Sequence, residues 1–236
     1  MLSLDLHAHT RFFHGHDRLA ARFDRYGHAA LAGVAKRRGL DGVALTNHDY
    51  YRPLGDPEEG FLSIPGIEIS TTKGHVLVLG PDPPTRTEKG RLTPAEAVEL
   101  AHDRGCVAII AHPFRNSTIR ETDVEFDAIE LNGKHPRTWP LVREIAEVRG
   151  IPLVGGSDAH YPIEVGRAYT RIEADPSPES IVGAIREGRV EARLSDDPFA
   201  RLVRRGYRRV HEYKGHLGDS PGIGPPPGDE GASGDD

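Results

Sequence analysis

An α/β fold organised as a single domain is what this 236-residue chain predicts, and three observations predict it. Short runs rich in Val, Ile and Leu recur from residue 2 to residue 174, and stretches with helical spacing lie between them. The runs are apolar throughout instead of alternating, which means burial on both faces. Strand and helix alternating this often give a parallel sheet with helical crossovers. A closed barrel and an open sheet both satisfy the pattern. In either, functional side chains emerge at the carboxyl ends of the strands.

The elements follow in order. Strands are expected at LSLDLHA (2–8), GVALTNH (42–48), FLSIPGIEIS (61–70), HVLVLG (75–80), CVAIIAH (106–112), AIELNG (128–133), IPLVGGS (151–157) and YTRIEA (169–174). Residues 18–38 carry Leu19, Phe23, Leu31, Val34 and Ala35 at helical spacing and stop at Gly39. A second helix opens at Thr93-Pro94-Ala95-Glu96, which joins a capping box to a proline at the first helical position, and ends at Gly105. Further helices are expected at 139–149, beginning near Trp139-Pro140, and at 178–188, where Pro178 follows Ser177. The barrel or sheet domain is expected to occupy 1–195. Residues 196–214 read as a basic helix docked through Phe199, Leu202, Val203, Tyr207 and Val210, and 215–236, dominated by Gly, Pro and Asp, as a disordered tail.

Bulk properties narrow the function. A formal charge of −6 argues against wholesale binding of nucleic acid by phosphate attraction. The single cysteine, Cys106, excludes an internal disulfide and a thiolate cluster, so any metal must be held by nitrogen and oxygen. No run reaches the roughly 18 apolar residues that would span a bilayer, and MLSLDLHAH is no secretory leader; a cytoplasmic protein is expected. Oligomeric state is not encoded in any pattern here.

In LDLHAHT, His7 and His9 share one face of a strand because side chains two apart point the same way. Alone, the pair fits two solvent-facing residues as well as two metal ligands. The later strand ends decide between them: His48 and Asp49 close the second strand, Glu68 lies in the third, His75 opens the next, His112 follows CVAIIA, and Asp158 and His160 follow IPLVGGS. With 13 histidines in 236 residues, this recurrence at strand after strand points to metal. The donors exceed what one ion takes, so two or three ions are expected, with Glu68 as the bridge because a carboxylate has two oxygens.

From Met1 to about Glu173 the chain resembles the polymerase and histidinol phosphatase (PHP) domain superfamily of metal-dependent phosphoesterases. The resemblance rests on His7-Ala8-His9-Thr10, Thr46-Asn47-His48-Asp49, Gly66-Ile67-Glu68-Ile69-Ser70, His75, Ala111-His112-Pro113 and Ser157-Asp158-Ala159-His160. It implies a distorted seven-stranded β/α barrel of TIM type with the metals at the carboxyl-end mouth. It further implies that His7, His9, Glu68 and Asp158 hold one ion, Glu68, His75 and His112 a second, and His48, His160 and one more residue a third. Many relatives place Asp five residues after the second histidine of the first motif; this chain has His14 there, taken as the last ligand, with His16 and Asp17 as competitors in the same loop.

Paired divalent ions lower the pKa of a shared water and clamp the attacking and leaving oxygens of a phosphoryl group, so no nucleophilic side chain is required. Ligand type alone does not separate Zn, Mn and Fe. Arg115, in HPFR, suits the phosphoryl oxygens or, as the bland alternative, a surface ion pair. Asp49 suits a second-layer or proton-donating role, or a turn. Lys134 and His135 suit substrate contact or plain solvation, whereas His28, His102, His211 and His216 read as satisfied or surface histidines. The expected activity is hydrolysis of a phosphate ester, on a small phosphomonoester or nucleotide. The alternatives are a nuclease, for which Arg201, Arg204, Arg205, Arg208 and Arg209 keep nucleic acid open, a non-catalytic binding module, and hydrolysis of a C–N bond. No membrane partner is expected.

Overall fold

The structure, a computed structural model, describes residues 1–10, 17–57, 59–115 and 117–195, with the backbone alone described over 17–23. Nine strands and four α-helices follow one another as β1 (Leu2–Ala8), α1 (Asp17–Arg37), β2 (Gly42–Leu45), β3 (Leu62–Ser70), β4 (His75–Leu79), α2 (Pro94–Asp103), β5 (Val107–Ile110), β6 (Ala128–Asn132), α3 (Trp139–Arg149), β7 (Leu153–Gly156), β8 (Ala168–Ile172), α4 (Pro178–Arg186) and β9 (Val190–Leu194). The expected segment 196–236, with its helix and tail, lies outside the described residues, as does His14.

The helices form for local reasons. At α2 the Thr93 hydroxyl accepts from the Glu96 amide while the Glu96 carboxylate accepts from the Thr93 N–H, and Pro94 fills the first turn. The α3 helix ends at Gly150 in the left-handed conformation, φ 65°. On α1 the buried positions Asp24, His28, Leu31, Ala32 and Ala35 recur at helical spacing and face Val43, Leu45 and Phe61.

The sheet order is β7-β6-β5-β4-β3-β2-β1-β8-β9. The wholly parallel sheet expected from sequence is corrected here to a mixed one. β1, β2 and β3 pair in parallel, as do β5, β6 and β7, but β4 is antiparallel to both neighbours and β8 to β1 and β9. The reason is connection length: only Thr71–Gly74 join β3 to β4, far short of the dozen residues a parallel crossover needs. The β9 strand was not anticipated. It alternates half-buried Val190, Ala192 and Leu194 with exposed Glu191 and Arg193, as an edge strand does.

Both faces of the strands are apolar. Along β4, Val76 and Val78 join the layer under α2 and α3 with Ile67, Ile110, Ile129 and Trp139, while Leu77 and Leu79 join Leu6, Ile64, Val107, Ile109 and the α4 residues Ile181 and Ile185. The sheet curls into a nearly closed barrel. At the closing seam the Gly155 N–H donates to the Thr170 hydroxyl of β8 at 2.8 Å, and the Ser157 N–H donates to Asp5 of β1 at 2.9 Å. Among the described residues no helix is long and apolar enough to cross a membrane.

Candidate metal centre

At the carboxyl ends of the parallel strands the inward face turns from apolar to charged. Glu68 shares a face of β3 with Ile64, and Glu130 shares a face of β6 with Ala128. Because β4 runs the other way, its first residue, His75, reaches this mouth, paired with Ser70.

Glu68 is fully buried and is the hub. Its Oε2 lies 3.0 Å from His48 Nδ1, 3.2 Å from His7 Nε2 and 3.4 Å from His9 Nε2. Its Oε1 lies 2.6 Å from His75 Nδ1 and 2.9 Å from His112 Nε2. Asp158, equally buried, places Oδ1 at 3.3 Å from His9 Nε2, 3.7 Å from His7 Nε2 and 3.1 Å from His160 Nδ1. Three groups bring their donor atoms close enough to share an ion: His7, His9 and Glu68; His48, Glu68 and His75; His9, His48 and His160.

The comparisons with known proteins bear on what this mouth belongs to. Residues 140–190 match the family model described as PHP-associated. PsfC from Pseudomonas syringae PB-5123 aligns with a TM-score of 0.64 at 20% identity, over 89% of this chain and 98% of its own. A two-domain protein from Bacteroides vulgatus ATCC 8482, containing a predicted PHP-like metal-dependent phosphoesterase, aligns with a TM-score of 0.58 at 22% identity, over 82% of this chain and 64% of its own. The chain shares its fold with both proteins. The lesion-specific endonuclease PfuEndoQ from Pyrococcus furiosus shares the fold with a TM-score of 0.56 at 20% identity, over 81% of this chain and 57% of its own. The chain thus spans less than two thirds of the length of the last two proteins. No curated protein matches the chain.

The donor set at the mouth of this barrel fits divalent cations. Asp158 Oδ1 is buried with no hydrogen-bond partner, although imidazole nitrogens crowd it. The Nε2 atoms of His7 and His9 face one another at 3.2 Å, close enough to share a proton or to turn toward a common cation. The electrostatics agree. Burial opposes charge on His7, yet Glu130, Glu68 and Asp158 together lift its pKa well above the usual imidazole value, so this point selects a cation. Burial and the neighbouring His160 hold His9 well below that value, and burial brings His48 down to about 4. Both are neutral near pH 7, the form that ligates metal. Burial pushes Glu68 and Asp158 upward, but His48 and His7 around the first, and Lys134 and His7 around the second, keep both carboxyls well below the ordinary range.

The structure brings together His7, His9, His48, Glu68, His75, His112, Asp158 and His160, all of which sequence had singled out. The tight group around His75 includes Glu68 and His48, and His112 approaches the same Glu68 Oε1 at 2.9 Å. Arg115 donates to Asp158 Oδ2 at 3.1 Å, and Lys134 Nζ lies 3.4 Å from the same oxygen. The Asp49 carboxylate instead accepts from the Ser70 N–H and the Thr87 hydroxyl, both at 2.9 Å. Those bonds brace the turn after β2, the structural one of the two roles that the sequence offered for Asp49. His135 accepts the Thr138 hydroxyl at its carbonyl at the start of α3. His28 meets the Ser63 hydroxyl and His102 meets Asp127, each at 2.8 Å.

Two buried acids were missed. Glu130 Oε1 accepts from His7 Nδ1 at 2.8 Å and its Oε2 accepts from the His112 amide, which fixes the His7 ring with Nε2 toward the centre. Asp5 accepts from the amides of Ser157 and Gly166, and burial raises its carboxyl to about 6. Their signal was in the sequence: a lone carboxylate within AIELN and within LSLDLHA, runs otherwise apolar. Strain gathers here too. Among the described residues the non-glycine residues with positive φ are Asp49 (54°), His112 (25°) and Asp158 (52°), all beside the mouth.

Proposed function

We propose that the mouth of the barrel is the active centre of a divalent-metal phosphoesterase. The observation that carries this reading is the buried Glu68, whose two oxygens are divided among five imidazoles. Fold alone would not license it, since one barrel hosts many chemistries. His7, His9, Glu68 and Asp158 would hold one ion, Glu68 with His75 and His112 a second, and His48 and His160, with His14 added, a third. Zinc, manganese and iron all suit these donors. Bound ions supply Lewis acidity and a water of lowered pKa.

The remaining work falls to this chain's own groups. Glu130 holds the His7 tautomer, and Asp158 keeps Arg115 over the mouth. Arg115, with 47% of its side chain exposed, presents free guanidinium N–H groups to solvent at the point where a phosphoryl oxygen would approach. Lys134 offers a second positive charge beside the same Asp158 oxygen. Two cations beside the donor cluster favour a phosphomonoester or a nucleotide, handled by a cytoplasmic enzyme. The shared fold with the endonuclease PfuEndoQ keeps a second reading, cleavage of nucleic-acid diesters.

The test is chelation. Treatment with EDTA should abolish hydrolysis of p-nitrophenyl phosphate, and added Mn²⁺ or Zn²⁺ should restore it; unchanged turnover after complete chelation would overturn the proposal. Hydrolysis of bis-p-nitrophenyl phosphate or an oligonucleotide in preference to the monoester would move the substrate class to diesters. Arg115→Ala should keep its ions by elemental analysis and lose at least about tenfold in turnover, as expected when one donor to a developing charge is removed. Wild-type rates in that variant would take Arg115 out of the centre.

A further inference from the structure

One cation already stands inside the donor cluster. Lys134 leaves only 10% of its side chain exposed, and its ammonium lies 2.8 Å from His160 Nδ1, 3.4 Å from Asp158 Oδ2 and 3.9 Å from Glu164 Oε2. A buried ammonium persists only where acceptors compensate it, and these three do. The backbone that delivers it is clamped. The Gly133 N–H donates to the Gly156 carbonyl at 2.8 Å, and a Cβ at Gly133 would come within 3.0 Å of the Ala168 nitrogen, so no larger residue fits. The Lys134 N–H donates to Asn132 Oδ1, and Asn132 in turn donates to Glu130, the acid that orients His7. Only rotation of the side chain can therefore move the ammonium.

His160 is also one of the three imidazoles, with His9 and His48, whose nitrogens come close enough to share an ion. Its Nδ1 has the Asp158 carbonyl at 3.0 Å as well as the ammonium at 2.8 Å. Should Nδ1 be the ligand atom, its single lone pair serves either the ammonium or a metal. Should Nε2 be the ligand atom, an ammonium against the other side of the same ring still repels a dication in a poorly solvated pocket.

We propose that the Lys134 ammonium is a removable occupant of the His160 end of the centre, which excludes a divalent ion from the His9, His48 and His160 position until the side chain swings out. Lys134 thereby sets how many ions the barrel holds: two with the ammonium in place, three once it has left. A phosphoryl oxygen arriving at the mouth is the natural acceptor to draw it out, so that the last ion enters with substrate. This inference rests on the reading of the cluster as a metal centre.

The experiment titrates the metal-free full chain with Mn²⁺ alone and counts bound ions by elemental analysis and calorimetry, in wild type and in Lys134→Met, which keeps length and removes charge. The variant should bind its third ion at least about tenfold more tightly than wild type, with the first two unchanged. A second measurement needs no variant. Acetylation of wild-type Lys134 by an amine-selective reagent, read by mass spectrometry, should rise several-fold as Mn²⁺ passes from two to three equivalents. Identical isotherms for the two chains, or Lys134 equally shielded at both loadings, would overturn the inference while leaving the metal centre standing. A wild-type chain that takes up no ion would overturn both.

Discussion

Glu68→Gln is expected to lower turnover at least about a thousandfold and to leave the barrel with less than half its wild-type metal. The substitution keeps the size of the side chain and its place on β3, so packing against Leu77 opposite is not the issue. What changes is charge and donor sense. One oxygen becomes an amide nitrogen whose hydrogens face the nitrogens of either His75 and His112 or His48, His7 and His9, according to which way the amide turns. Whichever way it turns, one side of the bridge is lost. Glu68 itself is fully buried, so water does not readily take the place of the missing oxygen. Elemental analysis of the purified variant beside steady-state rates separates loss of ions from loss of chemistry. A variant with full metal and normal turnover would show that Glu68 bridges nothing that matters.

How legible was this centre before any coordinates? The residues that line the mouth announced themselves because histidine is a rare residue type, and its recurrence at strand end after strand end is a departure from composition that no packing argument produces. The acids behind them were harder to see. Glu130 and Asp5 lie where one strand position looks like another, and only the presence of charge in an apolar run marks them. Lys134 was equivocal for the opposite reason: a lysine after a glycine at the end of a strand is usually solvated, and its burial comes from the Asp158, His160 and Glu164 loop, more than 20 residues further on.

The sheet shows the same division. The β4 reversal was written in the four residues Thr71–Gly74, too few for a crossover, and His75 reaches the mouth because of that reversal. Strand order and closure were not written locally at all. They depend on which side chains leave room for a second backbone to approach, and that is a property of pairs of segments distant in sequence. In IPLVGGS, expected as a strand, the two glycines lie inside β7, and their part in letting a second backbone approach is nowhere marked in the run itself.

Gly155→Ala tests that closure and carries the largest stability effect expected. A Cβ at Gly155 would lie 2.4 Å from the Tyr169 carbonyl oxygen, with the Tyr169 carbonyl carbon at 2.9 Å and its nitrogen at 3.0 Å. These are backbone atoms of β8, a strand paired on one side with β1 and on the other with β9, so no rotamer change relieves the overlap. The strands must part instead, breaking the Gly155 bonds to the Thr170 hydroxyl and straining the Ser157 bond to Asp5. Overpacking of this kind costs about 3 kcal/mol, which for a domain of this size lowers Tm by roughly 6–12 °C. Because Asp158 and His160 follow directly on β7, metal uptake should weaken along with stability. Gly183→Ala is the matched control: it lies within α4 with nothing inside 4 Å of the added methyl, and it should raise stability by about 0.5–1 kcal/mol through helix propensity. Thermal unfolding of both variants decides the matter. Equal midpoints for wild type and Gly155→Ala would mean that β7 and β8 do not approach as closely as the seam requires, and the mouth that the seam holds together would have to be assembled some other way.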